Sequence, residues 1–395
     1  MTTVKPIHPF PARMAPEIAL RAVSELPAGS LVLDPMSGSG TVLRTAADQG
    51  LSAIGFDLDP LAVLMARVWN TEIDTSRFLR VGYEVLDHFD TLDHRRAVSL
   101  PWIDNDPETH SFIKNWFARK QRMQLRQISC YLYRKRGAIA DALRIALSRT
   151  IIRKEGGASL ADDVSHSRPH KVRAENDYDV AAGFERSILR LAAIFDEQPP
   201  QGRVNVWLGD SRRLERLWPR SVDAIVTSPP YLNAIDYLRG HRLSLVWLGY
   251  QMKTLRRIRS SAIGAEKGSD ILGDAWIRTA RRKLGNVKAL PVVQQRMVDR
   301  YIVDLHEMLL TARRVLKPRG TAVFVIGNSC VRGVFIRNSR VLVELARQAG
   351  LILTDCHERD LPAMRRYLPP PNAVTTHGIA NRMRTEVVMR FQNSR

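Results

Sequence analysis

The chain has 395 residues, 45% of them hydrophobic, with a formal net charge of +20 and a pI of about 10.4. That length buries one large core or two modest ones. The charge favours a polyanionic partner, because surface Lys and Arg release counterions condensed on phosphates. Three widely spaced cysteines, Cys130, Cys330 and Cys356, form no CxxC pair. This argues against a zinc site or a disulfide framework and suits a reducing cytoplasm. No His or acid cluster has metal spacing, so no metal is expected. No run of about 20 apolar residues occurs, so a soluble cytoplasmic protein without a membrane partner is expected.

The chain opens on a βαβ pattern. Leu31-Val32-Leu33 is a short apolar run ending in Asp34 and a Gly-rich turn. Thr41 to Gln49 reads as a helix closed by Gly50. Ser52 to Phe56 reads as a strand ending at Asp57, and Leu61 to Asn70 as a helix. Short buried strands alternating with helices predict a parallel sheet covered on both faces. The pattern resumes with strands at Val204 to Leu208 and Val222 to Val226. It continues through a helix at Val298 to Val315, a Lys317-Pro318-Arg319-Gly320 turn and a strand at Thr321 to Ile326. A helix at Val341 to Gln348 and strands at Leu351 to Thr354 and Glu386 to Phe391 follow. Residues 76–200 are too long for a connection in an α/β fold. They read as an inserted, mainly helical basic subdomain, leaving 1–75 and 201–395 as the main domain. Residues 250–296 read as a second, smaller basic insertion.

Asp34-Pro35-Met36-Ser37-Gly38-Ser39-Gly40-Thr41 joins a strand to a helix. Its glycines allow close approach of a ligand. It lacks the Lys of a P-loop, and its leading acid suits a cation such as an amino-acid ammonium. Asp57 ends the next strand, where a carboxylate accepts ribose hydroxyls. Asp210 ends the third, where it can accept an adenine amino group. Together these three acids fit S-adenosylmethionine. Pro35, Ser37, Gly38, Gly40 and Thr41 complete the expected cofactor loop.

Thr227-Ser228-Pro229-Pro230-Tyr231 follows the fourth strand. An exocyclic base amine is a poor nucleophile because its lone pair is delocalised into the ring. Acceptors aimed at its N–H bonds help it become tetrahedral. Ser228 and a carbonyl of Pro229 or Pro230 can supply them from a stiff loop. Tyr231 offers a stacking face for an extruded base. No cysteine lies in the loop, which argues against attack at cytosine C5.

These motifs resemble those of the amino-specific DNA methyltransferases, of the N4-cytosine and N6-adenine type. Asp34 to Thr41 is similar to the family's first motif, Asp57 to its second acid, Asp210 to its third, and Ser228-Pro229-Pro230-Tyr231 to its fourth. His8-Pro9-Phe10-Pro11-Ala12-Arg13-Met14 resembles a segment preceding the first motif, which implies that Phe10 helps enclose the methionine part of the cofactor. The resemblance implies a Rossmann-like, S-adenosylmethionine-dependent methyltransferase fold with seven mostly parallel strands. Serine at the first position of the fourth motif resembles N4-cytosine enzymes. Adenine-N6 methylation and RNA base-amino methylation stay open, as does a nucleic-acid-binding protein without catalysis. Whether a restriction endonuclease acts alongside also stays open.

DNA is the expected partner, with RNA as the alternative. The basic residues of 113–154 include Arg119, Lys120, Arg122, Arg126, Arg134, Lys135 and Arg136, with Trp116, Tyr131 and Tyr133 interleaved and Asp141 as the one acid. That mix suits tracking a phosphate backbone. Ser167 to Arg173 adds a basic loop. Arg256, Arg257 and Arg259, then Arg278 to Lys283, form a further patch. Asp236 to Arg242 follows the catalytic loop and is expected to shape the base pocket. His241 and His377 read as structural.

Overall fold

The computed structural model describes residues 5–11, 13–91, 98–232, 236–264, 274–361 and 385–394. Ala12 and His377 therefore lie outside the described residues. Seven strands form the central sheet: β1 (Leu31–Asp34), β2 (Ser52–Asp57), β3 (Val204–Leu208), β4 (Val222–Thr227), β5 (Leu316–Ile326), β6 (Leu351–Asp360) and β7 (Thr385–Asn393). In that numbering their order across the sheet is 3-2-1-4-5-7-6. The pairings from β3 through β5 are parallel. Only β7 is reversed, antiparallel to both β5 and β6. This is the expected Rossmann-like sheet of seven mostly parallel strands.

Successive strand residues point to opposite faces, and both faces are apolar. Val32, Ala53, Val226 and Val323 lie on the side covered by α1 (Pro16–Val23) and α2 (Thr41–Asp48). Leu33, Ile54, Ile225 and Phe324 lie on the other. Helix α3 (Pro60–Trp69) is buried at every position but Arg67, so apolar residues cover most of its circumference. Its Val63 and Ala66 join the sheet cluster, while Leu61, Leu64, Met65 and Val68 join a separate helical cluster.

That helical cluster draws apolar residues from each described helix of 76–200: α4 (Thr75–Thr91), α5 (Arg119–Tyr133), α6 (Ala138–Ile151) and α7 (Val180–Glu197), with short helices at Pro101–Asp104 and Pro107–Trp116. A two-stranded ribbon pairs Ala161–Asp162 with His170–Lys171 beside the basic loop. The same apolar core continues into α8 (Tyr237–Leu245) and α9 (Met252–Ser261), downstream of the Ser-Pro-Pro-Tyr loop. Trp102 Nε1 donates to the Val246 carbonyl at 2.8 Å, and the Met252 amide donates to Thr109 Oγ1 at 2.9 Å. The long segment thus shares its core with the chain on both sides of it.

The opposite sheet face is covered by α10 (Ala275–Leu284), α11 (Val292–Val315) and α12 (Asn338–Gln348). The described residues of 250–296 accordingly divide between the two layers, α9 with the helical cluster and α10 with the sheet. The expected turn at Lys317 to Gly320 is instead an irregularity within β5. Val222 pairs with Leu316, yet Ala224 pairs with Thr321. The surplus residues bulge out with Arg319 at φ 60°. A bulge keeps the ladder on both sides of a local kink, so a turn sequence need not end a strand.

Candidate active site

The strand order reverses between β1 and β4, so a crevice opens at their carboxyl ends. Asp34 ends β1 and Thr227 ends β4, and Thr227 Oγ1 donates to Asp34 Oδ1 at 2.6 Å. This buried bond sets the Gly-rich loop beside the Ser-Pro-Pro-Tyr loop, residues nearly two hundred positions apart in the chain. Asp34 also accepts the Met36 amide at 3.1 Å. Burial nevertheless pushes its carboxyl up to about 7, against the opposing bonds from Thr227 and Met36.

The loop itself is tightly held. Gly38 has φ 49° and Gly40 has φ 90°, a region that favours glycine. A Cβ on Gly40 would lie 2.9 Å from the Ala66 Cα, so the loop packs directly on α3. A Cβ on Gly38 would meet the Phe10 ring at 3.0 Å, which places Phe10 over the loop. The Gly38 amide donates to Asp57 Oδ2 at 2.8 Å, and the Asp59 amide donates to Asp57 Oδ1 at 2.9 Å. Asp57 is pushed up to about 6, chiefly by burial and then by the neighbouring Asp59 carboxylate. Ser37 Oγ is buried without a hydrogen-bond partner among the described residues. Pro35 and Thr41 bracket the turn, Thr41 as the first residue of α2.

Asp210, just past β3, is engaged differently. Arg212 Nη2 reaches Asp210 Oδ2 at 2.6 Å and Nε reaches Oδ1 at 3.0 Å, while Nη1 contacts Asp304 on α11. These bonds, Asp210 foremost, raise the Arg212 guanidinium further above its ordinary range. Sequence spacing does not reveal this clamp, because Asp304 comes from a distant helix. Oδ1 also accepts the Arg212 amide at 2.9 Å and Oδ2 also lies 3.1 Å from Arg212 Nε, so donors of Arg212 reach both oxygens of Asp210.

In the Ser-Pro-Pro-Tyr loop, Ser228 Oγ donates to the Val325 carbonyl of β5 at 3.0 Å. Its hydrogen is committed there, so what it offers a ligand is lone pairs. Tyr231 Oη stands 3.5 Å from Ser228 Oγ. Tyr231 is half-buried against the core, and burial pushes its hydroxyl up to about 12, so it stays neutral near pH 7. Pro229 is buried. The Pro230 carbonyl accepts from Tyr301 Oη of α11 at 3.1 Å. Tyr301 is a further residue that the sequence does not single out, being one aromatic among the apolar positions of a long helix.

The basic residues separate into two groups. Arg119, Lys120, Arg134, Lys135 and Arg136 are exposed. Arg126 is tied to Asp104 at 2.6 Å and to the Val98 carbonyl at 3.0 Å, an anchor for α5. Arg122 is half-buried, and burial followed by repulsion from Arg126 and Arg119 lowers its guanidinium below the ordinary value. Arg256 and Arg257 are both exposed, Arg256 in a surface pair with Glu108. Among the described residues no His, Cys, Asp and Glu group can hold a metal ion. Among them, too, no helix is long and apolar enough to cross a membrane.

No family model matches the chain. Relatives align over most of it. The type II methyltransferase M.MvaI of Kocuria varians is 21% identical over 424 aligned residues, 98% of this chain and 90% of the relative. The type II methyltransferase M.BsoBI of Geobacillus stearothermophilus is 24% identical, over 82% of this chain and 73% of the relative. The type II methyltransferase M.AvaI of Nostoc sp. is 21% identical, over 81% and 72%.

Proposed function

We propose that this chain, a homologue of the type II methyltransferases, transfers a methyl group from S-adenosylmethionine to an exocyclic amino group of a DNA base, cytosine N4 foremost. The observation that carries the reading is the Thr227–Asp34 hydrogen bond, which sets the acceptor-rich loop beside the Gly-rich loop. S-adenosylmethionine supplies an electrophilic methyl group. The residues present fit it: the buried Asp34 and the half-buried Asp57, both with raised carboxyls, support a ligand rich in cationic and hydrogen-bond-donating groups. Asp34 serves the ammonium and Asp57 the ribose, with Phe10 over the loop and Asp210 toward the adenine. Ser228 Oγ accepts an N–H of the target amine and Tyr231 stacks on the flipped base.

The decisive experiment incubates the protein with labelled S-adenosylmethionine and genomic DNA, followed by nucleoside mass spectrometry. N4-methylcytosine is the expected product. N6-methyladenine would move the assignment to adenine, and no labelled base would refute transfer to DNA.

The raised carboxylates give a pH dependence. Asp34 and Asp57 hold protons more tightly folded than unfolded, so their ionisation destabilises the ligand-free protein as pH climbs from about 4 through 7. A cation beside Asp34 favours the ionised form. Donor affinity, measured by calorimetric titration, should therefore fall on acidification from pH 7.5 to 6, by up to about tenfold per pH unit below 7. A flat profile would count against Asp34 as the ammonium partner.

The exposed cations of α5 and its C-terminal turn are proposed to track phosphates. Repulsion among Arg119, Arg122 and Arg126 is what a polyanion would relieve. Replacing Arg119, Lys120, Arg134 and Lys135 together by Gln should reduce the slope of log K against log salt by roughly 0.9 for each phosphate these side chains neutralise. Fluorescence-anisotropy binding at graded salt measures it, and an unaltered slope would make this face merely solvated.

A further inference from the structure

A closed circuit of contacts joins the helix after the catalytic loop to the Asp57 turn. His241 lies on α8 and is fully buried, its Nδ1 2.5 Å from Asp59 Oδ2. Asp59 already caps α3 through its other oxygen, Oδ1 accepting the Leu61 amide at 2.9 Å. The cap therefore does not require the histidine. The Asp59 amide holds Asp57 Oδ1, and Asp57 Oδ2 holds the Gly38 amide. Gly38 lies against Phe10. Phe10 in turn stacks on Tyr237, the first residue of α8, with centroids 5.1 Å apart and planes 11° apart. The Phe10 and His241 ring centroids are 5.6 Å apart, which closes the circuit.

His241 Nε2 is buried with no hydrogen-bond partner among the described residues, so Asp59 is its one polar anchor there. A hydrogen bond to a carboxylate in a buried site is strong and directional. The segment Asp236 to Arg242 thus reaches the Asp57–Asp59 turn through His241.

We propose that His241 is a positioning residue: through Asp59 it orients the Asp57 carboxylate and couples methyl-donor binding to the placement of α8. The inference rests on the methyl-donor reading above. Coupling of this kind is reciprocal, so a placed α8 favours the donor as much as the donor favours α8.

The test compares the wild-type protein with His241→Asn and His241→Leu. Each is titrated with S-adenosylmethionine by calorimetry, melted, and assayed for donor KM and kcat on genomic DNA. Asn can offer an amide N–H near the position of Nδ1, whereas Leu fills space without bonding. His241→Leu is expected to weaken donor affinity about tenfold and raise donor KM, with His241→Asn within about threefold of wild type. Wild-type affinity in His241→Leu, or equal losses in Asn and Leu, would overturn the proposal by reducing His241 to packing. If His241→Leu does not fold, Asp59→Asn decides, since Asn still caps α3. It should show the same loss, and unchanged affinity would overturn the inference. Failure of the wild-type protein itself to bind S-adenosylmethionine would refute the methyl-donor reading and this inference with it.

Discussion

Replacing Tyr231 by Ala should lower kcat/KM for DNA by roughly 5- to 150-fold, the worth of about 1–3 kcal/mol of base stacking. Donor affinity should change by less than about threefold, because Tyr231 makes no contact with Asp34, Asp57 or the Gly-rich loop among the interactions described above. The ring is half-buried in the sheet-side core, so a lower melting temperature is expected as well. Tyr231→Phe separates the two effects. It keeps the ring and removes only a hydroxyl that stands 3.5 Å from Ser228, and should retain most of the turnover. Steady-state kinetics beside calorimetric titration measures both quantities. Full turnover in Tyr231→Ala would reject the stacking role.

Asp57→Ala is expected to weaken S-adenosylmethionine binding by at least about thirtyfold, close to 2 kcal/mol. Two terms contribute. The ribose loses its acceptor, and the amides of Gly38 and Asp59 lose the carboxylate that holds them. Leaving buried amides unpaired costs about 1–3 kcal/mol each, so the loop should loosen even without ligand. Asp57→Asn keeps one acceptor oxygen and should fall between wild type and Ala. A calorimetric Kd equal to wild type in Asp57→Ala would remove Asp57 from the donor site.

The two predictions differ in how they could be reached. Asp57 was legible in the sequence because it ends a short apolar strand about twenty residues after a Gly-rich turn. Tyr231 was legible because a Pro-Pro pair after a strand limits what the backbone can donate. The partners that hold these residues were not. Val325, which takes the Ser228 hydrogen, and Tyr301, which donates to the Pro230 carbonyl, come from β5 and α11. In sequence each is one apolar or aromatic residue in an ordinary core pattern.

The basic segments show the same limit from the other side. Charge and spacing alone group Arg119 through Arg136 as one surface. Packing of the Pro101–Asp104 turn against α5 brings Asp104 to Arg126 and makes that arginine structural. Arg256, by contrast, meets Glu108 at the surface and stays exposed. Whether a cation is available to phosphate depends on which acids the fold brings within reach.

By itself the sequence determined the seven strands of the sheet, the Gly-rich and Ser-Pro-Pro-Tyr loops and the three acids at successive strand ends. Those are local properties, set by alternation, glycine and proline geometry, and residue spacing. Only the tertiary structure decided that β1 and β4 are neighbours, so that Thr227 bonds Asp34, and that Arg212 clamps Asp210 to Asp304. It likewise placed residues 76–200 in one core with α3 and α8, and His241 against Asp59. Such pairings depend on which distant faces bury each other, and sequence periodicity carries no information about the partner of a buried face.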